Sequence, residues 1–382
     1  MTSALQLTLS NPAGFQPLPR GTGHYVAALQ TKAGELTALR EASAQTWEAL
    51  TPLIEVLGPK APGTEPFTRS RIDGWAERLA AAVGGHTIYL DRLRLSPNHP
   101  ADTRNGTVPV LNAVHDAARH RGVVFVPVLH LTDVSATVRE VADCAGRDGR
   151  GVALRVPLLG TASPDGRSLA TVVVEALDAV QVDITGADLL LDLRQILEDA
   201  EIDIEDLAPM TDDVSAIGRW RNVVLLGTAI PRSLGGGVVE AGTVGRLPRK
   251  EWLLWRELRA SGVSRIPIYG DYAVQHPEPP LDMAQGQVPH GIRAAIRYTH
   301  ETETIIPRAK EPRRIEGREQ YRQLCSILVA QLEFSGRSYT WGDKQIADCA
   351  DGSCEPGWED HWRAAGTSHH LRFVVDQLAA IR

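Results

Sequence analysis

The sequence predicts a (β/α)8 barrel of the triosephosphate isomerase type followed by an appended C-terminal α+β region. Three observations carry that prediction. Eight short runs rich in Val, Ile and Leu recur between residues 25 and 272, as strands buried on both faces should. Their starts repeat at a pitch of roughly 30 to 40 residues, the length of a βα unit. The last run, Ile266-Pro-Ile-Tyr-Gly-Asp-Tyr272, ends the alternation, and the texture of the chain changes after it. An open doubly wound sheet fits the alternation almost as well, and the count of eight units favours the closed barrel. No Gly-x-Gly-x-x-Gly follows the first run, which removes the dinucleotide-binding form of the open sheet.

Residues 1–23 are polar and punctuated by Pro and Gly, and read as a lead-in. Strand one is expected at 25–29, with a helix opening over 34–39. Strand two falls at 53–57, ahead of apolar residues at helical spacing over 72–83. Strand three is 87–91 with a helix over 108–120, and strand four is 123–130, with Ser135 as cap of the next helix. Strands five, six and seven fall at 151–155, 188–192 and 222–226, and a short helix over 251–259 precedes the closing strand. The barrel is thus expected over 24–275 and the appended region, packing on it, over 276–382. In that region His276-Pro-Glu-Pro-Pro280 is a turn-rich connector, and 293–298 and 304–307 read as the strands of a hairpin. Residues 320–333 read as an amphipathic helix with Leu324, Ile327, Leu328 and Leu332 on one face, and 371–381 as a final helix.

Composition narrows the function. The chain has 382 residues, 43% of them hydrophobic, enough for a substantial core. A net charge of -7 argues against nucleic acid as a partner, because phosphate binding rests on clustered Lys and Arg. The local basic run of Arg308, Lys310, Arg313, Arg314 and Arg318 reads by default as a solvated face. Four cysteines point to a reducing cytoplasm and not to a disulfide framework. Met1 to Pro19 lacks a basic stretch followed by an apolar one, and no apolar run matches a bilayer, so a cytoplasmic protein without membrane contact is expected.

In a parallel barrel the C-terminal ends of the strands line the functional mouth. That rule places Glu55, Asp91, His130, Arg155, Asp192 and Asp271 around one ring, with Lys32, Arg94 and Arg194 just beyond strands one, three and six. Glu55, Asp91, Asp192 and Asp271 could hold a divalent metal or activate water, while Lys32, Arg94, His130, Arg155 and Arg194 could hold a small anionic ligand. The plainer alternative is that Asp and Arg pair where strands leave the core, with His130 a neutral rim residue. Gly235-Gly-Gly237 follows strand seven, where barrels often hold phosphate, but a Gly triplet alone is more often simply a flexible loop. Neither a Gly-x-Ser-x-Gly elbow nor a Gly-x-x-x-x-Gly-Lys-Ser/Thr loop occurs. Cys349, Cys354, His361, His369 and His370 are zinc-ligand types without the usual second paired spacing. The cysteines also read as incidental, with His369 and His370 capping the final helix or packing on Trp358 and Trp362. A third arrangement folds the appendage over the mouth with Asp343 and both histidines facing inward.

A set of short motifs also occurs in order: Glu35-Leu-x-Ala-Leu39, Pro52-Leu-Ile-Glu55, Glu251-Trp-Leu-Leu-Trp255, Tyr269-Gly-Asp-Tyr272, Arg297-Tyr-Thr299, Trp341-Gly-Asp343, Trp362-Arg363 and Gly366-Thr-Ser-His-His370. Through them the chain resembles the "beta protein" family of bacteria and their phages, over most of its length. The resemblance implies a phage-associated or phage-defence setting and no established reaction. It singles out Glu55, Asp271, Asp343, His369 and His370 without assigning roles. The family's Pro-Gly-Asn is Pro356-Gly-Trp358 here, which puts any role of that Asn in doubt. Two functional expectations follow. One is a metal-assisted hydrolase acting on a phosphorylated or nucleotide-like ligand. The other is a non-catalytic barrel that senses a phage component or partner protein through a patch of Tyr339, Trp341, Trp358 and Trp362.

Overall fold

A computed structural model describes residues 21–58, 67–93, 95, 100–103, 106–133, 135–158, 167–196, 203–278, 292–313 and 317–381. Its strands are β1 (Tyr25–Gln30), β2 (Leu50–Glu55), β3 (Ile88–Asp91), β4 (Pro100–Thr103), β5 (Gly106–Pro109), β6 (Phe125–His130) and β7 (Val152–Pro157). They continue as β8 (Ala187–Gln195), β9 (Asn222–Thr228), β10 (Val244–Pro248), β11 (Ile268–Asp271), β12 (Arg293–Ala295), β13 (Tyr298–His300) and β14 (Glu303–Pro312). The helices are α1 (Ala33–Arg40), α2 (Ala44–Ala49), α3 (Arg69–Val83), α4 (Val110–His120), α5 (Ser135–Asp148) and α6 (Leu169–Val180), then α7 (Ile204–Ser215) and α8 (Lys250–Ala260). Three more close the chain: α9 (Gln320–Val329), α10 (Trp341–Ala350) and α11 (Glu359–Ala380).

Eight parallel strands form a closed barrel in the order β1, β2, β3, β6, β7, β8, β9, β11, and β11 returns to β1 through Tyr25↔Tyr269 and Ala27↔Asp271. Side chains alternate across this wall, as the two-residue period of a strand requires. Val26, Ala28, Leu53, Val126, Val128 and Leu190 fill the barrel interior, while Tyr25, Ala27, Leu29, Ile54 and Leu191 belong to the apolar layer under the helices. Several helices start where a short polar side chain caps them: Ser43, Ser168 and Asp203 each accept from the backbone N–H three residues on.

The appended part is built on a second, antiparallel sheet. In it β14 pairs with β10, β12 and β13, and β13 turns into β14 through Glu301-Thr302, the expected hairpin. Strand β10 comes from the segment between β9 and α8, so this sheet draws on chain that precedes the closing barrel strand. Helices α9, α10 and the first half of α11 cover it, with Tyr298, Ile305, Tyr321, Leu324, Ile346 and Trp362 in one apolar cluster. The second half of α11 joins the other core: Leu371, Val374, Val375 and Leu378 pack with the barrel's outer layer.

Some elements differ from those the sequence predicts. The hairpin β4–β5 occupies chain read as loop and helix start, and Pro109 precedes α4. Ser135 is the first residue of α5 and not its cap. Helix α9 stops at Val329, so Leu332, expected on its apolar face, is exposed. The last helix begins at Glu359 and not at 371, which puts His369 and His370 in its buried middle, where they cap nothing. Residues 364–371 are buried all round, so α11 carries no one-sided stripe to read. Among the described residues no helix is long and apolar enough to cross a membrane.

Where α10 crosses α11, a Cβ on Gly342 would overlap Ala365 O and lie 2.8 Å from its carbonyl carbon. Gly342→Ala is therefore expected to cost about 1–3 kcal/mol by overpacking. Gly146, exposed in α5 with nothing near its missing Cβ, is the control. Gly146→Ala should gain about 0.4–1 kcal/mol. Urea unfolding of both variants checks the contrast.

Candidate functional site at the barrel mouth

The strand ends do bring charged side chains together, and their centre is Arg155 of β7. Inward parity takes Glu55, Asp91, Arg155 and Asp192 to the C-terminal end of the interior, one residue pair above the apolar layer. Nη1 of Arg155 donates to Glu55 Oε1 at 2.9 Å and Asp91 Oδ2 at 2.6 Å. Nη2 donates to Asp192 Oδ2 at 2.8 Å and Tyr272 OH at 2.6 Å, and Nε to Asp192 Oδ2 at 3.0 Å. A guanidinium has five N–H groups, and all five are engaged. Tyr272 in turn donates to Asp192. His130 Nε2 lies 2.7 Å from Asp91 Oδ1, which also accepts from Leu93 N. These residues, His130 apart, are between 0% and 3% exposed.

The electrostatics follow from burial and pairing. Burial pushes the Asp91 carboxyl up, but His130 and Arg155 outweigh it and hold the group well below the carboxylate range. Burial works against charge on Arg155 too, yet Tyr272, Asp192, Asp91 and Glu55 hold it above its ordinary value. Burial, with Asp192 and Glu55, pushes the Tyr272 phenol up against the pull of Arg155. Three carboxylates around one guanidinium leave the cluster acidic, which suits an anionic ligand poorly. Among the described residues no group of three or more His, Cys, Asp or Glu side chains has metal-holding geometry.

The other expected site residues lie elsewhere. Asp271 is not in the ring: it sits on the outer face of β11, where Tyr25 and Tyr269 donate to it together with Ala273 N at 2.9 Å and His370 Nε2 at 2.9 Å. Parity decides this, since Gly270 and Tyr272 take the inward positions beside it. Burial pushes Asp271 up, but His370 and the Tyr25 hydroxyl bring it below its ordinary value, while burial lowers His370. His370 thus bridges the two sides of α11, with Nε2 2.9 Å from Asp271 Oδ2 and Nδ1 2.6 Å from Thr299 Oγ1. Asp343 and His369 also lie away from the mouth, buried between α10, α11 and β13. His369 faces Asp343 Oδ2 at 3.1 Å and Thr299 O at 2.8 Å, and Tyr298 OH donates to Asp343 at 2.7 Å. Arg194, at φ +53°, turns outward to Glu278, which Arg232 also holds. Lys32 precedes α1, partly buried and close enough to Glu35 to act on its charge. Arg94 lies outside the described residues.

Other residues that the sequence does not place in a site lie at or near the strand ends. Tyr272 follows the closing strand and fills the barrel beside Arg155. The chain beyond it crosses the mouth: Gln30 Nε2 donates to Pro277 O at 3.0 Å, and His276 Nε2 lies 2.9 Å from Gln195 Oε1. Glu251 is buried against Arg249, and burial raises its carboxyl to about 7. Tyr272 could have been found by continuing the two-residue parity past Gly270; Glu251 carries no such signal.

The remaining motifs resolve structurally. Gly235 to Gly237 form a turn against β14, where Arg308 donates to Leu234 O and Val239 O. Arg313 and Arg318 of the basic run pair with Glu359 and Glu355, and Arg314 is outside the described residues. The expected aromatic patch does not form: Trp362 is buried on Tyr321, and of the four only Trp358 is exposed.

A family model described as Beta protein matches residues 25–376. No curated protein sequence matches the chain. Among solved structures, it is similar to a triosephosphate isomerase from Bartonella henselae at 10% identity and a TM-score of 0.33, over 65% of this chain and 92% of that one. A mutant tryptophan synthase α-subunit from Pyrococcus furiosus gives 11% identity and 0.38, over 66% and 88%. A type I 3-dehydroquinate dehydratase from Clostridium difficile gives 9% and 0.39, over 70% and 91%. Likenesses this weak say nothing of what this chain binds.

Arg155→Met leaves three buried carboxylates without their cation and should cost about 3–5 kcal/mol, read by denaturant unfolding at neutral pH. Asp91 is depressed in the folded state, so its contribution is present above the unfolded value of about 3.9 and lost as pH falls below it. Asp91→Asn should flatten the stability profile in that acid window, measured by unfolding from pH 7 down to about pH 2.

Proposed function

The chain belongs to the Beta protein family, and from that membership and the filled barrel mouth we propose that it is a non-catalytic (β/α)8 barrel. In this reading it binds a phage component or a partner protein in a phage-related setting. One observation carries the non-catalytic part: Arg155 spends all five N–H groups on Glu55, Asp91, Asp192 and Tyr272. A guanidinium stands where a divalent cation would have to stand, and it has no donor left for a substrate anion. The phage-related setting rests on the family resemblance alone.

A metal-assisted hydrolase is the second reading, and the His130–Asp91 pair favours it. His130 stands at the rim with its side chain 11% exposed, and a carboxylate-held imidazole is a general acid–base arrangement.

A thermal-shift series against magnesium, manganese, zinc and nucleotides separates the two, with Glu55→Gln and Asp192→Asn alongside. The binding reading expects no metal- or nucleotide-dependent shift in the parent. A metal-dependent rise that both substitutions abolish would overturn it. A phage plating assay supplies the biological arm: cells expressing the parent should plate a susceptible phage less well, and His130→Ala, folded to parental stability, should protect equally. Loss of protection in that variant would move the conclusion to the hydrolase.

A further inference from the structure

Arg297, in the link between β12 and β13, is a cation without an acceptor. Its side chain makes no hydrogen bond or ion pair among the described residues, and its Nε is shut off from solvent with nothing to donate to. Burial and then the neighbouring Arg363 disfavour its charge, bringing it down to about 10. Glu359, whose charge reaches Arg297, is already held by Arg313 at 2.7 Å and by Arg363 at 2.9 Å. Arg363 shares one part of this, a buried and unmet Nε. Its two terminal nitrogens bond Asp360 and Glu359.

Close packing holds the two arginines at one junction. A Cβ on Gly366, one turn after Arg363 on α11, would lie 2.5 Å from Arg297 O and 3.8 Å from Val274 Cγ2. A Cβ on Gly34, at the start of α1, would lie 3.2 Å from the Arg363 Cβ and 2.5 Å from Asp360 O. The link, the chain leaving β11, the start of α1 and the first turns of α11 therefore meet beside the barrel mouth. The junction includes the amino end of a 22-residue helix with no side-chain cap, the end that favours anions. A guanidinium pair that repel each other, each with a buried N–H unmet, is unfavourable until an anion lies between them.

We propose that Arg297 and Arg363, with the amino end of α11, form a site for a phosphoryl group, a dianion whose oxygens can accept from the unspent guanidinium of Arg297 and from the unmet Nε–H of Arg363. The site is separate from the Arg155 network, so it holds whether or not the barrel is catalytic.

The probe is inorganic phosphate against chloride at matched ionic strength, with the parent, Arg297→Met and Arg318→Gln. Arg318 lies outside the junction on an exposed pair with Glu355. Phosphate should raise the melting temperature of the parent and of Arg318→Gln, and titration calorimetry should show at least tenfold weaker phosphate binding by Arg297→Met. In phosphate-free buffer Arg297→Met should be no less stable than the parent, since it removes an unpaired buried charge, and in phosphate the order should reverse. An Arg297 with a merely structural role would instead leave the variant less stable in both buffers. That result, or a parent that phosphate does not stabilise beyond chloride, overturns the proposal.

Discussion

The saturated guanidinium of Arg155 is the constraint on which the barrel mouth depends. Glu55, Asp91 and Asp192 come from three different strands, are buried, and share one cation between them. Arg155 supplies it from a fourth strand, and Tyr272 from the end of a fifth caps the arrangement. The interior is thus closed at its C-terminal end by a polar plug. Its N-terminal end has a smaller counterpart, where Asp188 accepts from Tyr89, Arg221 and Asn222. Between the two lies the apolar layer. A barrel filled in this way keeps its shape by internal pairing.

The last helix does for the appended sheet what Arg155 does for the mouth. Its first half packs into the sheet's core and its second half into the barrel's outer layer, so neither core is complete without it. At its middle, His369 and His370 point to opposite partners. His369 reaches Asp343 and Thr299 on the sheet side, and His370 reaches Asp271 on the barrel side. Thr299 touches both rings, through its carbonyl and its hydroxyl. Motifs far apart in sequence, Tyr269-Gly-Asp-Tyr272, Arg297-Tyr-Thr299, Trp341-Gly-Asp343 and the His-His pair, are therefore one continuous buried network. Their common function in the fold is to lock the appendage to the barrel, because buried polar groups that satisfy one another fix a single arrangement.

Much of this was legible before any coordinates. Eight apolar runs announced eight strands, since a strand covered on both faces has no polar position to spare. The rule that strand ends line the mouth selected Glu55, Asp91, Arg155 and Asp192 correctly as neighbours. The same rule failed at Asp271, because the residue ending a strand faces in or out according to parity, and a one-residue difference sends it to the opposite layer. Only the second half of helix α11 shows in the sequence, because burial on all sides erases the amphipathic period of the first. Strand β10 was missed because Val244-Gly-Arg-Leu-Pro248 takes its strand conformation from pairing with β14, across a large separation along the chain.

The sequence by itself determined the barrel, the polarity of its mouth and which side chains alternate inward, because these follow from short-range periodicity. Only the tertiary structure decided who pairs with whom. Arg155 could have been free to hold an anion, and Arg297 could have been one more solvated charge. Closure of the barrel exhausted the donors of the first, and docking of α11 stranded those of the second. Whether a charged group is spent or available depends on acceptors brought from remote parts of the chain, and that information exists only once the chain has closed on itself.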